Sequence, residues 1–86
     1  VPEYPTERRM MTDAVSLLRE QDIEGSVLEL QVDEFEENDR YQLYQVHCHV
    51  VLEIDGAEQT CKLTLVYEQE QDGWVLGSQS KLVSPG

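Results

Sequence analysis

Apolar residues in the first third of the chain recur at three- and four-residue spacing, as on one stripe of an amphipathic helix. The stripe consists of Met10, Met11, Ala14, Leu17 and Leu18. Thr6 has the chemistry of an N-cap, and Gly25 that of a residue that ends a helix. The pattern predicts one helix over residues 7–22, preceded by an extended entry segment over residues 1–5 that contains two prolines.

From residue 27 onward the period changes to two, which is typical of strands with one buried face. In the first such stretch Leu28, Leu30 and Val32 alternate with polar residues. The later stretches carry apolar faces formed by Tyr44, Val46, Cys48, Val50, Leu52 and Ile54, then by Ala57, Cys61, Leu63, Leu65 and Tyr67, and last by Trp74, Leu76 and Leu82. The alternation predicts four strands.

Three turn signals separate these strands, and Asp-Gly between alternating stretches is a strong hairpin signal. The signals are residues 37–39, Asp55-Gly56 and Asp72-Gly73. The loops they imply pair Val32 with Tyr44, Ile54 with Ala57, and Gln71 with Trp74. All three registers place the apolar residues on the same face of the sheet. We therefore predict a single α+β domain over residues 1–86, with one N-terminal helix packed across a four-stranded antiparallel β-meander.

A helix followed by four antiparallel strands that end in Asp-Gly-Trp-Val-Leu (residues 72–76) resembles the cystatin-like and NTF2-like superfamily. The resemblance implies a curved sheet that wraps around the helix. The places of the cystatin inhibitory loops hold Glu-Glu-Asn-Asp-Arg (residues 36–40) and Gln-Asp-Gly-Trp (residues 71–74), so the inhibitory residues are not carried over. An NTF2-like enzyme would need an acid–base residue on the concave face, where the second strand offers only Cys48. The resemblance thus implies an architecture and no activity.

Acidic residues outnumber basic ones by 18 to 6, which gives a formal net charge of −12. Such a charge repels nucleic acids and anionic lipid, so a partner recruited by charge should be basic. The sequence has no apolar run long enough for membrane insertion and no secretory signal pattern. These features predict a soluble domain that binds neither nucleic acid nor membrane.

The cysteines and histidines cluster in the second strand. His47 and His49 should point to one face and Cys48 to the other, so the three cannot ligate one metal ion. We expect Glu29 beside His47, with no metal site and no cofactor. Cys48 and Cys61 should face the core as diagonal neighbours, too far apart for a disulfide. Free, buried thiols would favour a cytoplasmic location.

The candidate binding surface lies at the end of the sheet where the first and third loops of a meander meet. On the outer face, Phe35 should oppose Tyr41, with Leu43 following on the same face. Carboxylates of both loops should surround these side chains. An apolar patch rimmed by one sign of charge is typical of a recognition surface. The predicted binding residues are Phe35, Glu36, Glu37, Asp39, Tyr41 and Leu43.

These observations favour a non-catalytic module that binds a basic protein partner. One alternative is an NTF2-like small-molecule-binding or enzymatic domain, with a pocket between helix and sheet lined by Ser78 and Ser80. The other is a structural domain that forms a homodimer through its sheet.

Overall fold

The computed structural model describes residues 4–71 and 73–83 of the chain. It contains one helix, α1 (Glu7–Glu20), and five strands, β1 (Ser26–Asn38), β2 (Leu43–Ile54), β3 (Ala57–Glu70), β4 (Gly73–Leu76) and β5 (Lys81–Val83). The strands form one antiparallel sheet in the order β1-β2-β3-β4, and β5 also pairs with β3. The predicted α+β fold is therefore confirmed. Residues 1–3 of the predicted entry segment and Asp72 of the third turn signal lie outside the described residues.

The helix begins as predicted and ends two residues early. The hydroxyl oxygen of Thr6 accepts a 3.2 Å hydrogen bond from the backbone N–H of Arg9, which makes Thr6 the N-cap. At the other end Asp22 adopts a left-handed conformation (φ 55°), and the N–H of Ile23 bonds to the carbonyl of Leu18. This is a Schellman motif with Asp22 at the position that usually holds glycine. The prediction that Gly25 ends the helix was wrong.

Gly25 instead lies where two segments of the chain approach closely. A Cβ at this position would stand 2.8 Å from the carbonyl oxygen of Glu53 and 2.9 Å from a side-chain carbon of Ile54. The chain between the helix and β1 passes directly over the end of β2, and only a residue without a side chain fits there.

The central hairpin has the predicted register. Asp55 and Gly56 form its two-residue turn with φ angles of 52° and 81°, as a type I′ turn requires. Ile54 pairs with Ala57, and Cys48 with Leu63. The Asp-Gly signal by itself predicts this register, because a type I′ turn needs positive φ at both loop positions and Asp and Gly both adopt it.

The register of the first hairpin differs from the prediction. Val32 pairs with Cys48, and Glu37 with Tyr44, so the turn comprises residues 39–42. Irregularities at Leu28 and Asp33 interrupt the pairing. Each bulge exchanges the faces of the residues that follow it.

Leu28 shows the consequence of the first bulge, since it is exposed and not part of the core as predicted. Val27 packs against the core in its place, while Leu30 and Val32 keep the predicted inward direction. The second bulge, at Asp33, changes the face of the residues toward the turn.

The last hairpin is shifted by two residues. Trp74 pairs with Gln69, not Gln71, whereas Leu82 pairs with Leu63 as predicted. The difference is absorbed by the segment 77–80, which loops out between β4 and β5. There the hydroxyl of Ser80 accepts a 2.9 Å hydrogen bond from the N–H of Val66. Ser80 thus replaces a missing bond of the strand ladder, and Ser78 is exposed.

The core lies between α1 and the inward face of the sheet. Its helical members are Met10, Ala14, Leu17 and Leu18, and the sheet contributes Tyr44, Val46, Cys48, Val50, Leu52, Cys61, Leu63, Leu65, Tyr67 and Trp74. Within the described residues, no helix is long and apolar enough to cross a membrane.

Candidate functional site

The first and third loops meet at one end of the sheet, as predicted. Leu43 pairs with Glu68, and the N–H of Gln69 bonds to the carbonyl of Gln42 at 3.0 Å. We call this region the acidic hairpin end; its exposed carboxylates are Glu34, Glu36, Glu37, Asp39, Glu68 and Glu70. The arrangement concentrates negative charge around the turn of residues 39–42.

That turn presents an aromatic side chain to solvent. The amide oxygen of Asn38 accepts a 3.2 Å hydrogen bond from the N–H of Tyr41, which holds the turn. Tyr41 is 63% exposed, and the guanidinium of Arg40 lies 5.5 Å from the centre of its ring. Leu43, on the outer face beside it, is half-buried.

Phe35 does not face Tyr41, contrary to the prediction. The bulge at Asp33 turns Phe35 to the inward face, where it pairs with Val46 and its ring centre lies 5.7 Å from that of Tyr44. Phe35 is still 61% exposed. The predicted site residues are therefore divided between the two faces of the sheet.

On the inward face, four aromatic residues form a cluster at the acidic hairpin end. They are Tyr4, Phe35, Tyr44 and Trp74, which we call the aromatic cluster. The ring of Tyr4 lies 4.9 Å from that of Tyr44 and stacks on that of Trp74 at 5.7 Å. Sequence reasoning placed Tyr44 and Trp74 in the core but missed Tyr4, because the extended segment predicted before the helix gives no signal of where it meets the sheet.

Glu37 connects the aromatic cluster to the carboxylates. It accepts a hydrogen bond from the hydroxyl of Tyr4, and this bond raises the pKa of Tyr4 above its ordinary value. The pKa of Tyr44 is raised by burial and, to a smaller extent, by Glu37. Both phenols therefore stay protonated at neutral pH, and each remains a hydrogen-bond donor.

The histidines lie on the outer face, in a shallow groove of about 250 Å³. Nδ1 of His49 contacts the carboxylate of Asp33, which the bulge brings into reach, and Nδ1 of His47 lies 3.4 Å from the hydroxyl of Thr64. The predicted neighbour Glu29 was wrong, because it pairs with Val51. Among residues 4–71 and 73–83, no group of three or more histidine, cysteine or acidic side chains has an arrangement that could hold a metal ion.

The two thiols are free and buried, as expected. Burial, together with the carboxylate of Asp33, raises the pKa of Cys48 to about 11, and burial also raises the pKa of Cys61. The Cys48 thiol lies 3.5 Å from the carbonyl oxygen of Leu63 and can donate a weak hydrogen bond to it. Because the thiolate is the reactive form of cysteine, a protonated Cys48 is a poor nucleophile at neutral pH.

Comparison of the chain with models of known protein families, with curated proteins and with solved structures gave no match. The α+β fold rests on the structure alone, and the cystatin-like or NTF2-like resemblance stays a prediction.

Proposed function

We propose that this domain is a non-catalytic module that binds a basic segment of a partner protein at its acidic hairpin end. The observation that carries the proposal is the combination of exposed carboxylates and exposed aromatic rings at that end. Carboxylates of one sign accelerate the encounter with a basic partner, and aromatic side chains supply contact area that holds it.

The charge of the whole chain supports the same class of partner. With a formal net charge of −12, the domain repels nucleic acids and anionic membranes. Both thiols are free, which fits a reducing, cytoplasmic location for the complex.

The contacts of Ser78 and Ser80 favour this proposal over a ligand pocket between helix and sheet. Ser80 is engaged with the backbone of Val66, and Ser78 faces solvent, so neither hydroxyl is left to orient a ligand there. On the helix side, the hydroxyl of Tyr67 is likewise occupied by Asp13.

Charge reversal at the acidic hairpin end tests the proposal. The probe is a labelled peptide in which arginine alternates with glycine, and stopped-flow fluorescence measures its association and dissociation rates. Glu34→Lys with Glu36→Lys should lower the association rate at low salt by about tenfold, since steering can change on-rates by that order. The effect should shrink at high salt, where exposed charges are screened.

The matched control reverses two acids at the opposite end of the sheet, in β2 and β3. Glu53 and Glu58 face each other beside the Asp55-Gly56 turn, and their exchange for lysine changes the net charge by the same amount. This variant should lose much less of the association rate. Equal losses in the two variants would show that the peptide responds to total charge, and the proposed site would be wrong.

The dissociation rate in the same experiment reports the aromatic contact. Tyr41→Ala should raise the dissociation rate and leave the association rate nearly unchanged, because an uncharged contact acts after encounter. An unaltered dissociation rate would remove Tyr41 from the binding surface.

A further inference from the structure

A cavity of about 240 Å³ opens at the acidic hairpin end, beside the aromatic cluster. Tyr4 and Trp74 line it from one side, and Glu37 and Asp39 line it from the β1–β2 hairpin. Asn38, Gln42 and Gln69 add polar amide groups to the lining. A small cavity with both carboxylates and aromatic rings in its walls is suited to a cation, since each ring face and each carboxylate attracts positive charge.

The carboxylate of Glu37 retains capacity to bind such a cation. The hydroxyl of Tyr4 donates to its Oε1 atom, whereas an ionised carboxylate offers about four lone-pair positions on its two oxygens. Asp39 is exposed at the start of the turn. The guanidinium of Arg40, in the same turn, lies over the Tyr41 ring.

Trp74 provides an independent sign of a missing partner. Its side chain is only 7% exposed, and its indole Nε1–H has no hydrogen-bond partner among the described residues. Buried polar groups in native proteins nearly always have a partner, and the indole can only donate. A ligand that brings an acceptor would give the indole the hydrogen bond it lacks among the described residues.

The two requirements are a positive charge for the carboxylates and an acceptor for the indole. A metal ion or a simple amine meets only the first. An amino-acid residue of a basic peptide meets both, because its side chain carries the charge and its backbone carbonyl accepts a hydrogen bond. Arginine fits better than lysine, since its planar guanidinium stacks on aromatic rings and bonds to carboxylates through two parallel N–H groups.

We propose that this cavity binds one arginine residue of a partner peptide, with its guanidinium between Glu37 and Asp39 and its backbone carbonyl accepting from Trp74 Nε1–H. The inference rests on the proposed function and names the residue type that the acidic hairpin end selects. The ring of Tyr4 stacks on that of Trp74 and so flanks the indole in this site.

Trp74 is the single tryptophan of the chain, so its indole N–H gives one isolated signal in a ¹H–¹⁵N NMR spectrum. The probes are the acetylated, amidated tripeptide Gly-Arg-Gly and its citrulline analogue, which keeps the shape of arginine and lacks the charge. The arginine peptide should move the indole proton downfield, as expected when a donor gains an acceptor. An indole signal that stays in place, or that moves equally with the citrulline peptide, would overturn the proposal.

Glu37→Gln is the matching variant, because glutamine keeps an acceptor for the Tyr4 hydroxyl and removes the charge. We expect about tenfold weaker binding of the arginine peptide, the order of one charge-assisted hydrogen bond. Glu53→Gln at the opposite end is the control and should bind as the unaltered chain does. Unchanged affinity in Glu37→Gln would also overturn the proposal.

Failure of this subsite and failure of the proposed function give different results. If the arginine–glycine peptide responds to reversal of Glu34 and Glu36 while the tripeptide leaves the indole signal unmoved, the cavity is not the arginine site and the binding surface stands. If neither probe responds, both proposals are wrong.

Discussion

Tyr67 is fully buried, yet its hydroxyl reaches across to the helix and donates a 2.7 Å hydrogen bond to Asp13. Arg9 pairs with the same carboxylate at 3.5 Å and lies 5.2 Å from the centre of the Tyr67 ring. Burial, with the bond to Asp13, raises the pKa of Tyr67 far above that of a free tyrosine. At the scale of single residues, the helix is thus positioned on the sheet by a polar contact as well as by apolar packing.

Cys48 leads to a prediction about alkaline pH. Its pKa is about 11 in the folded chain, against 9.0 for an ordinary thiol. Because the folded-state pKa is raised, the protonated thiol contributes stability that is complete below pH 9 and is lost as the pH rises through 11. The loss should be on the order of 2 kcal/mol.

Urea unfolding of the native chain and of Cys48→Ala between neutral pH and pH 11 measures this contribution. Cys48→Ala should be less stable at neutral pH, and its deficit should shrink as the pH rises, because alanine has no proton to lose. A deficit that stays constant across this range would contradict the raised pKa.

At the scale of elements, Asp22 and Gly56 both have positive φ, but the backbone of Asp22 is strained there and that of Gly56 is not. Asp22 ends the helix at φ 55°, where glycine is usual, and Gly56 occupies a turn at φ 81°. A side chain is strained in this region of backbone conformation, and a carboxylate at a helix C-terminus also opposes the helix dipole.

Asp22→Gly should therefore stabilise the domain by about 0.5–1 kcal/mol, and Gly56→Ala should destabilise it by about 1 kcal/mol. Thermal unfolding followed by circular dichroism measures both changes. The two variants serve as controls for each other, since both exchange a residue in left-handed backbone. A loss of stability in Asp22→Gly would show that the Asp22 side chain makes a stabilising contact.

At the scale of the whole molecule, the core is completed by a helix that crosses a bulged sheet. Leu17 of the helix is 4% exposed, whereas Leu28 of β1 is 45% exposed although both belong to apolar patterns of the sequence. Leu17→Ala should lower the free energy of unfolding by about 2–5 kcal/mol, as is typical for a buried leucine. Leu28→Ala, a chemically identical change, should cost less than about 1 kcal/mol.

Chemical denaturation of these two variants checks the position of the first bulge. A large loss in Leu28→Ala would mean that Leu28 faces the core and that β1 has the uninterrupted register of simple alternation. Equal and small losses in both variants would contradict the packing of the helix on the sheet.

The candidate site was only partly predictable. The meeting of the first and third loops follows from meander topology, so the cluster of Glu36, Glu37 and Asp39 with the acids of β3 could be read from the sequence. The face occupied by Phe35 could not, because it depends on whether β1 contains an extra residue at Asp33. Tyr4 joined the site through its stacking on Trp74, a contact between residues far apart in the sequence that no short stretch specifies.

The sequence by itself determined the features that depend on neighbouring residues: the N-cap at Thr6, the helical stripe, the alternation of β2 and β3, and the Asp55-Gly56 turn. Each follows from backbone sterics or side-chain period within a few positions. The tertiary structure alone decided the two bulges of β1, the loop at residues 77–80 and the contact of Tyr4 with Trp74. A bulge leaves one residue unpaired wherever it occurs, so its position depends on which register best packs β1 against the rest of the fold, and no short stretch of sequence contains that information.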